Sequence, residues 1–177
     1  RPAIFGYFRT LEYKDLGFHK PIMLAGGIGS IKEVQIKKGV PKAGDVVIVL
    51  GGPAMLIGLG GGSASSTKKT NDNADLDFAS VQRSNPEMQR RAQQVLDKFN
   101  ERSSKNPITF IHDVGAGGIS NAIPELAKDT NLGVEINLEN IDSADQTMSP
   151  MELWCNESQE RYVFTIPKKK LRALEDI

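Results

Sequence analysis

The stretch that organises the chain is Pro107 to Lys128, PITFIHDVGAGGISNAIPELAK. Ile108-Thr109-Phe110-Ile111 is a short apolar, β-branched run of the kind a buried strand uses. Asp113 stands at its end, followed by Gly115, Gly117 and Gly118. Ser120 or Asn121 is placed to cap a helix running through Ile123, Leu126 and Ala127. Pro124 then falls in the first turn, where its missing N–H costs little. Strand, carboxylate, glycine turn and helix in this order suit a metal–phosphate site, because glycines let backbone N–H groups approach an anion and a helix N-terminus favours negative charge. The same pattern also describes a purely structural turn, in which Asp113 caps and the glycines only permit the bend. Spacing alone leaves both readings open.

Charge narrows the partners. Lysine plus arginine number 22 and aspartate plus glutamate number 22, which argues against nucleic-acid binding by phosphate neutralisation. Lys168-Lys169-Lys170 reads as the solvated opening of a helix. No apolar run reaches the roughly 20 residues of a membrane span, and the start carries no signal-peptide pattern. The single cysteine, Cys155, has no internal disulfide partner and suits a reducing, cytoplasmic compartment, where a small buried thiol is its expected role. Both ends read as cut: Arg1 opens directly into a strand-like run, and a helical pattern is still in progress at Ile177.

Along the chain, Ala3 to Phe8 and Pro21 to Ala25 read as strands joined by a polar connection, Glu12 to Lys20. Gly26-Gly27-Ile28-Gly29-Ser30 is a second place where backbone could approach a ligand. Gly39 to Asp45 is turn-rich, and a domain boundary is expected near Pro41 to Gly44. Val46 to Leu50 is the strongest strand signal. The glycines from Gly51 to Gly62 match neither a P-loop nor a complete dinucleotide fingerprint. Ser84-Asn85-Pro86-Glu87 resembles a capping box with proline in the first turn. Met88, Ala92, Val95, Leu96 and Phe99 then form one apolar helix stripe. Val134 to Leu138 alternates like a half-exposed strand, Ser149 to Asn156 reads as a short capped helix, and Arg161 to Ile166 as a strand, with Pro167 opening the last helix. Alternating strands and helices predict an α/β (α+β) fold with a mixed sheet and flanking helices.

Candidate chemistry is sparse. His112 and Asp113 are adjacent, so in a strand they face opposite ways. With His19 the only other histidine, a zinc site lacks ligands, whereas oxygen donors favour Mg²⁺. Asp113 is the first candidate ligand. Gln82, Ser158 and Gln159 are able to hydrogen-bond a ribose or an amide.

Three stretches together carry a resemblance. Gly51 to Ser66 (GGPAMLIGLGGGSASS), Asp75 to Met88 (DLDFASVQRSNPEM) and His112 to Asn121 (HDVGAGGISN) resemble phosphoribosylformylglycinamidine synthase of the large, single-chain type. Glu152 to Tyr162 (ELWCNESQERY) and Lys20 to Ser30 (KPIMLAGGIGS) agree with it, so the likeness spans nearly the whole chain in order. The resemblance implies a ligase of purine biosynthesis that joins ATP, formylglycinamide ribonucleotide and glutamine-derived ammonia. It implies residues 1–42 as the tail of a nucleotide-side domain and 43–177 as most of the companion domain, of the aminoimidazole ribonucleotide synthetase-like C-terminal type. Asp113 would bind Mg²⁺, and Gln82, Glu157, Ser158 and Gln159 would contact the ribonucleotide. The backbones of Gly60, Gly61, Gly62, Gly115, Gly117 and Gly118 would approach phosphate. ATP and Mg²⁺ are the implied cofactors, and a glutaminase domain of the same parent chain the implied partner. The family's catalytic cysteine, histidine and ATP loop have no counterpart here; Cys155, His19 and His112 match none of them. Competing readings are another member of the superfamily, such as a selenophosphate synthetase, and a non-catalytic nucleotide-binding or scaffolding module.

Overall fold

A computed structural model describes residues 11–17, 26–59, 85–102, 105–128 and 130–175. The expected strands at Ala3–Phe8 and Pro21–Ala25 lie outside those residues.

The organising element is a strand buried on both faces, Arg161–Pro167, designated β5. Its neighbours are β3 (Asp45–Gly51) and β4 (Phe110–Asp113), in the order β3-β5-β4. Both ladders are antiparallel: Val47 pairs with Thr165, Val49 with Val163 and Gly51 with Arg161 on one side, and Phe110 with Thr165 and Asp113 with Tyr162 on the other. Val163, Phe164, Thr165 and Ile166 are all buried, because both faces of this central strand are covered. The α1 helix (Pro86–Glu101) covers one face and α2 (Ile119–Lys128) the other. Alternation sends Val163 to the α2 side, with Ile119, Ala122, Ile123 and Leu126, and sends Phe164 and Ile166 to the α1 side. There the Phe164 and Phe99 rings meet edge to face with centroids 6.2 Å apart, an arrangement that aromatic quadrupoles favour.

The helices form where the apolar spacing placed them, but their starts differ. Asn85 caps α1 by accepting the Met88 N–H at 3.1 Å, with Pro86 first in the helix. Because the cap is Asn85, the third helical residue is Met88, so the expected box cannot close; Glu87 instead pairs with Arg91 at 2.8 Å. In α2 the helix begins at Ile119, so Ser120 and Asn121 lie inside it and Pro124 is interior. Ser120 turns its hydroxyl back to the Gly117 carbonyl, and Asn121 bonds Glu125 at 3.2 Å. The expected cap at the third helix, α3 (Pro150–Cys155), is complete: Ser149 accepts from the Glu152 N–H, and the Glu152 carboxylate accepts from the Ser149 N–H. These bonds hold the Glu152 carboxyl below its usual pKa. Cys155, at the end of α3, is half-buried rather than fully buried.

Three further expectations change. Within the polar connection, Glu12–Tyr13 (β1) and Leu16–Gly17 (β2) make a tight hairpin, with Lys14 in the left-handed region at φ 53°. Val134 to Leu138 forms no ladder. A cavity of about 370 Å³, lined by Val47, Val49, Glu135 and Ile136 among others, separates it from the edge of β3, whereas paired strands need a spacing of roughly 4.8 Å. The chain beyond β3 and the chain beyond Leu138 meet at a parallel bridge between Ala54 and Ser143, where the Ala54 N–H reaches the Asp142 carbonyl at 2.8 Å and the Ala144 N–H the Ala54 carbonyl at 2.9 Å. At the far end Pro167 still belongs to β5; Lys168–Lys170 form an exposed 3-10 turn before the short helix α4 (Arg172–Glu175). Among the described residues no helix is long and apolar enough to cross a membrane.

Phe99 and Phe164 are both fully buried. Phe99→Ala is expected to cost roughly 3–5 kcal/mol, whereas Met151→Ala, at a site 71 % exposed, is expected to stay within about 0.5 kcal/mol. Denaturant unfolding of the two variants beside the parent checks the contrast.

Candidate functional site

Three segments that are distant in sequence meet at the carboxyl end of β4: residues 54–59, the glycine turn 115–118, and the loop 156–160 that leads into β5. The loop is the hub. Glu157 is 3 % exposed, and its carboxylate accepts the Gly117 N–H at 2.8 Å. Its own N–H donates to the Ile57 carbonyl at 3.2 Å. Ser158, 1 % exposed, accepts the Met55 N–H on its hydroxyl at 2.9 Å and donates to Asn156 Oδ1 at 2.8 Å. Asn156 in turn donates to the carbonyls of Glu152 and Leu153 at 2.8 and 2.9 Å, closing the open end of α3. A buried carboxylate and a buried hydroxyl thus have partners, as burial of polar groups demands.

Two glycines are required by this closeness. Gly118 has φ 63°, and a Cβ there would run into the Asn156 carbonyl oxygen. Gly58 has φ 67°, and a Cβ there would strike the Glu157 side chain. Only glycine meets both demands, a left-handed backbone and no side chain. Gly117 and Gly118 donate their N–H groups inside the protein, to Glu157 and to the Gly115 carbonyl. Around Gly115 nothing lies within 4 Å of the Cβ position, so this corner of the turn is open.

Asp113 is the last residue of β4, with its side chain 48 % exposed. The neighbouring His112 does not simply face the other way. Its Nδ1 lies 3.8 Å from the Asp113 carboxylate, because the strand ends there, and its Nε2 meets Glu125 of α2 at 2.6 Å. An ionised carboxylate is acceptor-only, and Mg²⁺ commonly takes one or two carboxylates while keeping waters and substrate phosphates. Asp113 fits that donor set. Among the described residues no group of three His, Cys, Asp or Glu side chains converges as a complete metal cage.

Of the residues singled out in the sequence, Glu157, Ser158, Gly117 and Gly118 are brought together, and Gln159 follows them, half-buried, with its amide on the Glu157 carbonyl at 3.1 Å. Gln82, Gly60, Gly61 and Gly62 lie outside the described residues. Sequence reasoning passed over Arg161. It is 2 % exposed; its Nε donates to the Ser158 carbonyl at 2.9 Å and its Nη2 to the Asn156 carbonyl at 2.7 Å. Burial lowers its pKa to about 10, which still leaves it charged at neutral pH. An arginine opening an otherwise apolar strand was the available signal.

Residues 42–177 match the family described as AIR synthase related protein, C-terminal domain. The chain belongs to that family. Its fold is also that of Thermotoga maritima PurL complexed with FGAR, at 24 % identity and a TM-score of 0.67 over 81 % of this chain and 23 % of that one. The ATP complex of the same enzyme gives 21 % and 0.60 over 81 % and 21 %. Phosphoribosylformylglycinamidine synthase II from that organism gives 21 % and 0.59 over 80 % and 20 %. The chain spans less than a quarter of the length of these solved structures.

Gly118→Ala tests the junction. The left-handed backbone and the collision with a carbonyl oxygen are expected to cost roughly 2 kcal/mol or more, whereas Gly115→Ala, with open space, is expected to cost well under half of that. Thermal unfolding of both variants provides the comparison.

Proposed function

We propose that this chain is part of the synthetase region of a phosphoribosylformylglycinamidine synthase, an ATP-dependent carbon–nitrogen ligase of purine biosynthesis acting in the cytoplasm. The observation that carries the reading is the bond from the Gly117 N–H to Glu157. It draws the HDVGAGG turn and the NESQE loop, two of the stretches that resemble this enzyme, into one place beside Asp113. The fold shared with a PurL structure complexed with FGAR supports the same reading.

In the proposed reaction the amide oxygen of formylglycinamide ribonucleotide takes the γ-phosphoryl group of ATP, releasing ADP. Ammonia adds at the amide carbon and phosphate leaves, giving the amidine. Such chemistry rests on positioning and on stabilising phosphate charge. Mg²⁺, when bound, supplies neutralisation of the phosphate oxygens, and Asp113 is the residue that would hold it here. Gln159, with Glu157, Ser158 and Gln82, contacts polar atoms of the ribonucleotide. The open corner at Gly115, with Gly60, Gly61 and Gly62, gives phosphate a backbone to approach. Glutamine-derived ammonia comes from a glutaminase domain elsewhere in the parent chain.

Residues 1–42 belong, on this proposal, to a nucleotide-side domain and residues 43–177 to its companion; the family match beginning at residue 42 supports the division. A chain holding only this part of the enzyme is expected to show no turnover by itself.

The test is Asp113→Asn in the full-length enzyme, with ammonia as nitrogen donor so that the glutaminase is bypassed and ADP release is followed at saturating ribonucleotide. A fall of roughly 10²-fold or more in kcat, with the fold intact, is expected from loss of a charge that acts on the transferring phosphoryl group. Near-normal turnover would favour a scaffolding role for this domain.

A further inference from the structure

The buried Arg161 side chain has no assigned part in the proposed site, yet it joins its two halves. Its guanidinium holds the loop from below by donating to the carbonyls of Asn156 and Ser158, the residues on either side of Glu157. Its own carbonyl accepts the Val114 N–H at 3.0 Å, immediately after Asp113. Opposite it in the ladder is Gly51, at φ 131°, where a Cβ would collide with the Glu160 carbonyl. The loop therefore turns back over the strand end with no slack, and Glu160 itself sits in the left-handed region at φ 59°.

A guanidinium is a costly way to satisfy two carbonyls. Among the described residues no ion pair to it is found, and its Nη1 has no hydrogen-bond partner. Burying a charge so incompletely matched is unfavourable for stability, so what the arrangement gains is geometry. The planar fork fixes two carbonyls at once in a set geometry, and a flexible ammonium holds them less rigidly. We propose that Arg161 is a positioning residue for ribonucleotide binding, setting the Glu157–Gln159 loop at a fixed offset from Asp113 and the glycine turn. It touches neither the substrate nor the reacting atoms; it acts through the loop. This inference rests on the proposed function and assigns that site a further residue.

The experiment is steady-state kinetics of the full-length enzyme with ammonia, comparing Arg161→Lys and Gln159→Ala with the parent. Lysine keeps the charge but loses the planar fork that holds the two carbonyls in register. The loosened loop is expected to raise KM for formylglycinamide ribonucleotide about tenfold, no more than the scale of one charge-assisted hydrogen bond, with KM for ATP and kcat changed by less than about threefold. Arg161→Met, which loses both bonds and the charge, is expected to do worse, so that lysine partially rescues it. An Arg161→Lys enzyme that melts earlier while its ribonucleotide KM stays at the parent value would overturn the proposal and leave Arg161 as a structural residue. If Arg161→Lys does not fold, Arg161→Gln, which keeps a neutral amide donor near those carbonyls, is read by the same KM criterion, and a folded variant with a parent-like ribonucleotide KM overturns the proposal equally. Gln159→Ala separates the two levels. If it too leaves the ribonucleotide KM unchanged, the loop does not read substrate and the proposed function fails at this point. If it raises KM while Arg161→Lys does not, the positioning role alone fails.

Discussion

Everything near the candidate site depends on one buried carboxylate meeting one backbone N–H. Glu157, almost wholly removed from solvent, accepts from Gly117, and that contact is possible only because Gly118 and Gly58 carry no side chains where the chains cross. A buried carboxylate left without donors would be costly, so the loop is confined to positions that keep the bond. The same bond prevents the glycine turn from relaxing, and the turn follows directly on the strand that ends in Asp113. Sequence, backbone conformation and candidate chemistry are therefore coupled through a few atoms.

This coupling changes the meaning of the individual residues. Glu157 and Ser158, which the resemblance implies as contacts for a ribonucleotide, are buried and bonded within the protein, and through those bonds they also hold the loop. Gln159 is half-buried, and Asp113 has nearly half of its side chain in solvent; on the proposed function these two meet ligands directly. Arg161 lies under all of them. The division of labour is a common one, in which the groups facing a ligand are held by a second layer whose own rotamers are fixed by packing and hydrogen bonds.

Much of this was legible beforehand, for identifiable reasons. The β3 and β5 strands announce themselves as short β-branched and aromatic runs bounded by turn residues, and the stripe of α1 because burial of one helix face imposes a period of 3.6. The Ser149 cap and its glutamate were readable because a capping box is local chemistry. Boundaries that depend on tertiary contacts were not readable. The start of α2 moves to Ile119 because Gly117 and Gly118, not Ser120 or Asn121, make the turn. Val134 to Leu138 has a strand's alternation but stands off the edge of β3 with a cavity between them. Alternation reports which side of a segment is buried and says nothing of whether a partner strand is within hydrogen-bonding distance. Arg161 went unremarked for a related reason: its importance lies in carbonyls three and five residues back, which come within reach only when the loop folds over the strand. Gln82 and Gly60 to Gly62 stand on the resemblance.

The most direct measurement is a crystal structure of the full-length enzyme with formylglycinamide ribonucleotide, a non-hydrolysable ATP analogue and Mg²⁺. The account predicts an Asp113 carboxylate oxygen at about 2.1 Å from a magnesium ion, with the Gln159 amide on the ribonucleotide and the Gly117–Glu157 bond intact beneath them. Magnesium held entirely by other residues, with Asp113 turned to solvent and the ribonucleotide remote from the 156–160 loop, would contradict it.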